Sequence, residues 1–151
     1  MYQARDVMTS KVITVPLDAT VSETIVLLLN HHISGAPVVD SKGELVGVIS
    51  EFQLLETIFD PDVCSGTVAD YMTKNVISVQ EETLLADVAA LFTQHRIRRI
   101  PVVNNGRIVG IVSRSNLLRY VVQAGDKITN FLVDVRCYAE SHAKELTSVA
   151  N

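Results

Sequence analysis

The chain has 151 residues, of which 48% are hydrophobic and 20% charged, and its formal net charge is −4. That balance excludes a disordered or low-complexity protein, and a core of this size can bury roughly 70% of the unfolded surface. No apolar run approaches ~18 residues, and Met1–Asp6 carries no basic-then-apolar leader, so neither a membrane span nor a secretory peptide is expected. Two cysteines, Cys64 and Cys137, are too few for a disulfide framework or a zinc site. Reduced thiols in a cytoplasmic protein are the expectation.

In chain order, the β-branched run Val12–Val15 predicts a short strand. A helix begins at Thr20, with Glu23 three residues on completing a capping box and Val21, Ile25 and Leu28 at helical spacing. Ala36–Asp40 and Leu45–Ser50 flank a Gly-containing turn and predict a hairpin, followed by a helix near Phe52–Phe59. Asp60–Gly66, broken by Pro61 and Gly66, reads as an exposed link. The same order then repeats: strand Val76–Val79, a helix with the stripe Leu85, Ala89 and Phe92, strands Ile100–Asn104 and Ile108–Ser113 joined by Asn105-Gly106, and a helix Ser115–Gln123.

The repetition is explicit in the residues. A shift of 64 pairs Met8-Thr9 with Met72-Thr73, Leu27, His31 and Ile33 with Leu91, His95 and Ile97, and Pro37-Val38-Val39 with Pro101-Val102-Val103. A shift of 63 then pairs Val46-Gly47 with Val109-Gly110, Ser50 with Ser113, and Leu54-Leu55 with Leu117-Leu118. The lost residue falls in the hairpin turn, which leaves the strand registers alone. The expected fold is α/β (α+β), two βαββα repeats packed as a pseudo-twofold pair. The boundaries are a first repeat over 5–60, a linker over 61–67, a second repeat over 68–122, and a helical C-terminal extension over 123–151 with an apolar stripe at Ile128, Phe131, Leu132 and Val135. In each repeat the crossover makes the first two strands parallel and the hairpin antiparallel.

Charge divides unevenly. Residues 1–66 hold three basic and nine acidic side chains, net −6, and the remainder ten and eight, net +2. No carboxylate lies between Asp87 and Asp126, a stretch carrying Arg96, Arg98, Arg99, Arg107, Arg114 and Arg119. This is either a solvated arginine face or an anion site, since guanidinium forks match phosphate and carboxylate. A broad nucleic-acid surface is disfavoured by the net negative charge and the 5% aromatic content.

The Met-Thr-x-x-Val-Ile-x-Val opening, the Pro-Val-Val strand, and Gly-x-x-Ser-x-x-polar-Leu-Leu before a closing helix resemble a tandem cystathionine-β-synthase (CBS) domain pair, or Bateman module, over about residues 5–122. The resemblance implies a stand-alone, non-catalytic sensor. Such a module would form a disc-like homodimer, bind an adenine nucleotide (AMP, ADP or ATP) or S-adenosylmethionine as a regulatory ligand, and act on a separate effector protein. No catalytic cofactor, metal or membrane partner is implied. A ligand-free structural adaptor that dimerises or binds a partner enzyme or transporter is the alternative.

In the second repeat, Gly110–Asn116 takes a strand into a helix whose first amides and dipole favour phosphate. Ser113 adds a hydroxyl or caps the helix. The resemblance implies that Asn116 holds the ribose hydroxyls, that Arg98 and Arg99 meet phosphate beside Arg114, and that Val76, Ile77, Ile100 and Pro101 form a slot for the base. For each of those four apolar residues, plain core packing is the competing reading. The first repeat departs from the pattern: Gln53 stands for Asn116, Ser34-Gly35 for Arg98-Arg99, and Glu51 for Arg114. Its weaker candidate set is Ile13, Ala36, Pro37, Ser50 and Gln53, and one dominant site per chain is expected, in the second repeat. His31-His32 point about 100° apart on a helix and read as helix-end residues rather than metal ligands. No phosphate loop or nucleophile arrangement is found.

Overall fold

The computed structural model describes residues 2–124. Apart from Gln123 and Ala124, which end the last described helix, the expected C-terminal extension with its stripe at Ile128, Phe131, Leu132 and Val135, together with Cys137, lies outside the described residues. Strands β1 (Val15–Pro16), β2 (Gly35–Val39) and β3 (Leu45–Ser50) form one sheet, and β4 (Val79–Gln80), β5 (Arg99–Asn104) and β6 (Arg107–Ser113) form a second, each in sequence order. Helices α1 (Val21–Asn30) and α2 (Glu51–Glu56) accompany the first sheet, and α4 (Leu85–His95) and α5 (Arg114–Ala124) follow the same order around the second. A short α3 (Val68–Tyr71) follows the linker. The fold class read from the sequence is the one observed.

Within the first sheet, β1 pairs parallel to β2 (Val15 with Val38) and β2 antiparallel to β3 (Gly35 with Ser50, Val38 with Gly47), with an irregularity between Val38 and Val39. The paired part of β1 is shorter than the β-branched run suggested. The two hairpin turns explain the one-residue difference between the repeats. In the first, the Asp40 Oδ1 accepts from the Lys42 and Glu44 amides, at 2.9 and 3.0 Å, and Gly43 takes φ +79°. In the second, Asn105 (φ 50°) and Gly106 (φ 80°) supply the paired positive φ of a two-residue type I′ turn.

α1 starts as expected. The Thr20 amide donates to Glu23 at 2.9 Å and the Glu23 amide to Thr20 Oγ1 at 3.1 Å. It ends at His31, after which His32 takes φ 52°, with His32 N–H to the Leu29 carbonyl and Ile33 N–H to the Leu28 carbonyl. That pair of bonds is a Schellman motif closed by a non-glycine residue. The histidine pair is therefore a helix terminus.

The chain divides into two compact units. Among the described residues, one comprises Lys11–Ile77 with Val103–Ile108, and the other comprises residues 2–10, Ser78–Val102 and residues 109–124. The first has Val15, Val21, Leu28, Ala36, Val38, Ile49, Leu54 and Val68 at its core. The second has Ala4, Val79, Leu85, Val88, Phe92, Ile100, Val102, Val112 and Leu117. Fully burying one such Val, Leu or Phe side chain contributes about 1.5–3 kcal/mol.

The Met-Thr pairs sit where the repeat alone does not place them. Thr9 exchanges two backbone hydrogen bonds with Ile111 of β6, at 2.9 and 3.0 Å, and Met8 lies over Gly110. Thr73 exchanges two with Val48 of β3, at 2.8 and 3.0 Å, and Met72 lies over Gly47. Each Met-Thr thus borders the sheet of the repeat it does not open. The turn before each is also duplicated: Ala4–Asp6 and α3 carry the reciprocal pairs Gln3–Asp6 and Thr67–Asp70 and bury Ala4 and Val68. After the linker, the Tyr71 hydroxyl donates to Asp60 Oδ2 at 2.6 Å.

Candidate ligand site

At the β6–α5 junction, Ser113 and Asn116 make a reciprocal box. The Ser113 N–H and hydroxyl donate to Asn116 Oδ1, at 2.8 and 2.7 Å, and the Asn116 N–H donates to Ser113 Oγ at 3.2 Å. Ser115 Oγ is 2.8 Å from Ser113 Oγ. The box fixes the first turn of an eleven-residue helix, whose amide end favours anions. It also narrows the role drawn from the sequence for Asn116. The side-chain oxygen is committed to the cap, so the amide Nδ2 is the part that remains to donate to a ligand oxygen.

The guanidinium groups gather at the same end of this unit. The Arg114 amide donates to the Arg98 carbonyl at 3.3 Å, and Arg114 Nε to the Ile97 carbonyl at 2.8 Å. That second bond folds Arg114 back over the turn leading into β5, where Arg96 holds φ 51°. Arg96, Arg98 and Arg114 are exposed, and among the described residues no carboxylate pairs with them. Arg99 is half-buried.

The residues expected to form the apolar slot divide. Ile100 is 0% exposed within the core and Pro101 is buried, so these two offer a ligand backbone rather than side chain. Val76 and Ile77 are half-buried in the other compact unit. Arg98, Arg99, Ile100, Pro101, Ser113, Arg114 and Asn116 are brought together in one unit.

All five first-repeat candidates lie in one unit, with Ala36 and Pro37 in its interior and Ile13 half-buried. Ser50 and Gln53 build the same box: the Ser50 N–H and hydroxyl donate to Gln53 Oε1 at 3.0 and 3.3 Å, and the Gln53 N–H to Ser50 Oγ at 3.3 Å. Here the extra methylene matters. Gln53 Nε2 reaches Thr73 Oγ1 at 2.5 Å, so its oxygen is committed to the cap and one of its two N–H groups to the threonine. Thr73 was visible in the sequence only as the repeat mate of Thr9, not as a site residue. An open depression of about 430 Å³ lies on α1, lined by Ser22, Glu23, Val26, Leu27, Asn30 and His31, and none of the candidate residues borders it. Among the described residues no cluster of three metal-ligating side chains occurs, and no helix is long and apolar enough to cross a membrane.

The CBS domain family matches this sequence twice, over residues 4–60 and 68–123. The chain belongs to the CBS-domain family. Its architecture is that of solved CBS pairs. The crystal structure of CBSX2 in complex with AMP, a protein of Arabidopsis thaliana, superposes with a TM-score of 0.76 at 31% identity, covering 83% of this chain and 99% of that one. The CBS domain pair of protein MJ0100, in complex with 5′-methylthioadenosine and S-adenosyl-L-methionine, gives 0.71 at 27% identity, covering 82% and 98%. The chain is also 34% identical over 139 residues to inosine-5′-monophosphate dehydrogenase of Methanocaldococcus jannaschii, taking in 89% of this chain but only 27% of that enzyme. A second protein of that organism, MJ1225, is 31% identical over 115 residues, 76% of this chain and 41% of its own length. This CBS pair therefore spans less than half of each of these two curated relatives.

Proposed function

We propose that this CBS pair is a non-catalytic regulatory module that binds an adenosine-containing ligand carrying phosphate, such as AMP, at the second repeat. The observation that carries the reading is the Ser113–Asn116 box, with an amide donor left over, beside the exposed Arg98 and Arg114. The donor suits a ribose hydroxyl and the guanidinium groups suit phosphate. The complexes of CBSX2 with AMP and of the MJ0100 pair with 5′-methylthioadenosine and S-adenosylmethionine support the ligand class. Transmission to an effector protein requires that the ligand bind two states with different affinity. Homodimer formation is supported by apolar side chains left exposed on α2 and the turn after it (Phe52, Leu55, Ile58, Phe59) and on α5 (Leu118, Val122). The same faces favour the adaptor reading if the site binds nothing.

The test is a thermal-shift panel of AMP, ADP, ATP, S-adenosylmethionine and S-adenosylhomocysteine, followed by calorimetry. A ligand at 100 times its Kd stabilises by about 2.7 kcal/mol. At about 2–4 °C per kcal/mol, this raises Tm by roughly 5–11 °C. Asn116→Ala and Arg99→Ala each weaken binding while the fold survives, and Gln53→Ala changes it little. No shift with any member of the panel refutes ligand sensing, and full-strength binding by both second-repeat variants refutes the site.

A further inference from the structure

We propose that Thr73 is a specificity-determining residue that keeps the first repeat closed to ligand, by holding the Gln53 amide in the position where a sugar hydroxyl would otherwise accept it. The inference rests on the ligand class proposed above.

The two repeats build one device with one difference. In both, a serine ends a strand and an amide side chain three residues on accepts from the serine N–H and hydroxyl. In both, a threonine is pinned beside the junction by two backbone hydrogen bonds, Thr9 to Ile111 and Thr73 to Val48. Asn116 stops short of Thr9, and among the described residues no hydrogen bond joins them. Gln53, one methylene longer, reaches Thr73 at 2.5 Å.

Thr73 is a stiff acceptor. Its backbone is bonded in both directions and Met72 beside it is wedged over Gly47, so it does not swing away cheaply. A ligand hydroxyl competing for the N–H that points at Thr73 must first break this bond and leave the threonine oxygen to water, and the bond fixes the direction of the remaining N–H. Glu51, where the second repeat has Arg114, adds a negative charge at the mouth of the same helix. The exclusion is thus twofold: Thr73 holds the amide and takes a donor that a sugar hydroxyl would use, and Glu51 disfavours phosphate. A neutral adenosine derivative is what the first repeat takes once the amide is released.

The experiment uses the full chain and adenosine as probe, in an Asn116→Ala background that weakens the second repeat. Calorimetry on this variant gives no first-repeat binding. Adding Gln53→Asn, which keeps the cap to Ser50 but cannot span to Thr73, produces one adenosine site per chain, and Thr73→Val added instead produces the same site more weakly. If both additions fold and neither binds adenosine, or if Asn116→Ala alone already binds one adenosine per chain, the proposal is overturned. A second measurement is independent of the second-repeat reading. The Gln53 side-chain amide signals in NMR shift, and exchange with solvent several-fold faster, in Thr73→Val than in wild type. Unchanged signals overturn the closure. Wild type failing to bind AMP while Gln53→Asn gains adenosine leaves the closure standing and refutes the second-repeat site instead.

Discussion

Replacing Gly110 with alanine puts a methyl group into space that Met8 fills. The added carbon would overlap the Met8 thioether, with Met8 Cβ a further 3.2 Å away. Gly47 faces the same problem from Met72, but there the Thr73 carbonyl also stands at 3.0 Å from the new carbon. Overpacking of this kind costs about 1–3 kcal/mol. At about 2–4 °C per kcal/mol, each substitution lowers Tm by roughly 2–12 °C. Truncating the methionine separates the two sites. Combining Gly110→Ala with Met8→Ala relieves the overlap, so the double variant is more stable than the sum of the single losses, a coupling of the size expected for residues in contact. Combining Gly47→Ala with Met72→Ala recovers less, because a carbonyl bonded to Val48 cannot retreat as a thioether can. Thermal denaturation of six variants and wild type measures both cycles. A Gly110→Ala protein as stable as wild type, or equal recovery at the two sites, refutes the reasoning.

Two further outcomes follow from local geometry. The Asp60 hydrogen bond, with burial adding to it, raises the Tyr71 pKa from 10 to about 12, so this contribution to stability is complete below pH 10 and is lost as pH rises toward 12. Its partner Asp60 is shifted down, first by the Tyr71 hydroxyl and then by the Asp62 amide, and its contribution is lost as pH falls below the ordinary carboxylate value of 3.8. Tyr71→Phe therefore flattens the alkaline limb of a stability-against-pH curve and part of the acid limb, and identical curves refute the contact. His32→Gly removes a side chain from a left-handed position, where a non-glycine residue costs about 1–2 kcal/mol against roughly 0.5–1 for glycine's entropy. Tm rises by a few degrees; a fall shows that His32 makes a contact worth more than its strain.

Much of the fold was legible because duplication doubles every signal. The capping box at Thr20, the hairpin positions and the one-residue deletion in the second turn are local properties, and each is where the residues placed it. The Ser113–Asn116 and Ser50–Gln53 spacings are local too. The destination of the Met-Thr pairs was not readable, since a repeat says that Met8 and Met72 are equivalent and not which sheet each will border. The run Val12–Thr14 is β-branched yet stays outside the paired strand, because β-propensity reports how a side chain fits a pleated surface rather than whether a ladder is available. The Gln53–Thr73 contact joins residues 20 apart through the fold, and no pattern of single residues announces it.

The traded Met-Thr edges bear on how this polypeptide can be divided or recombined. A gene fragment ending near residue 66 leaves β3 without the stretch that borders it, and one starting there leaves β6 bare. An exchange of halves with a related pair keeps these borders only if each half travels with the other's leading segment.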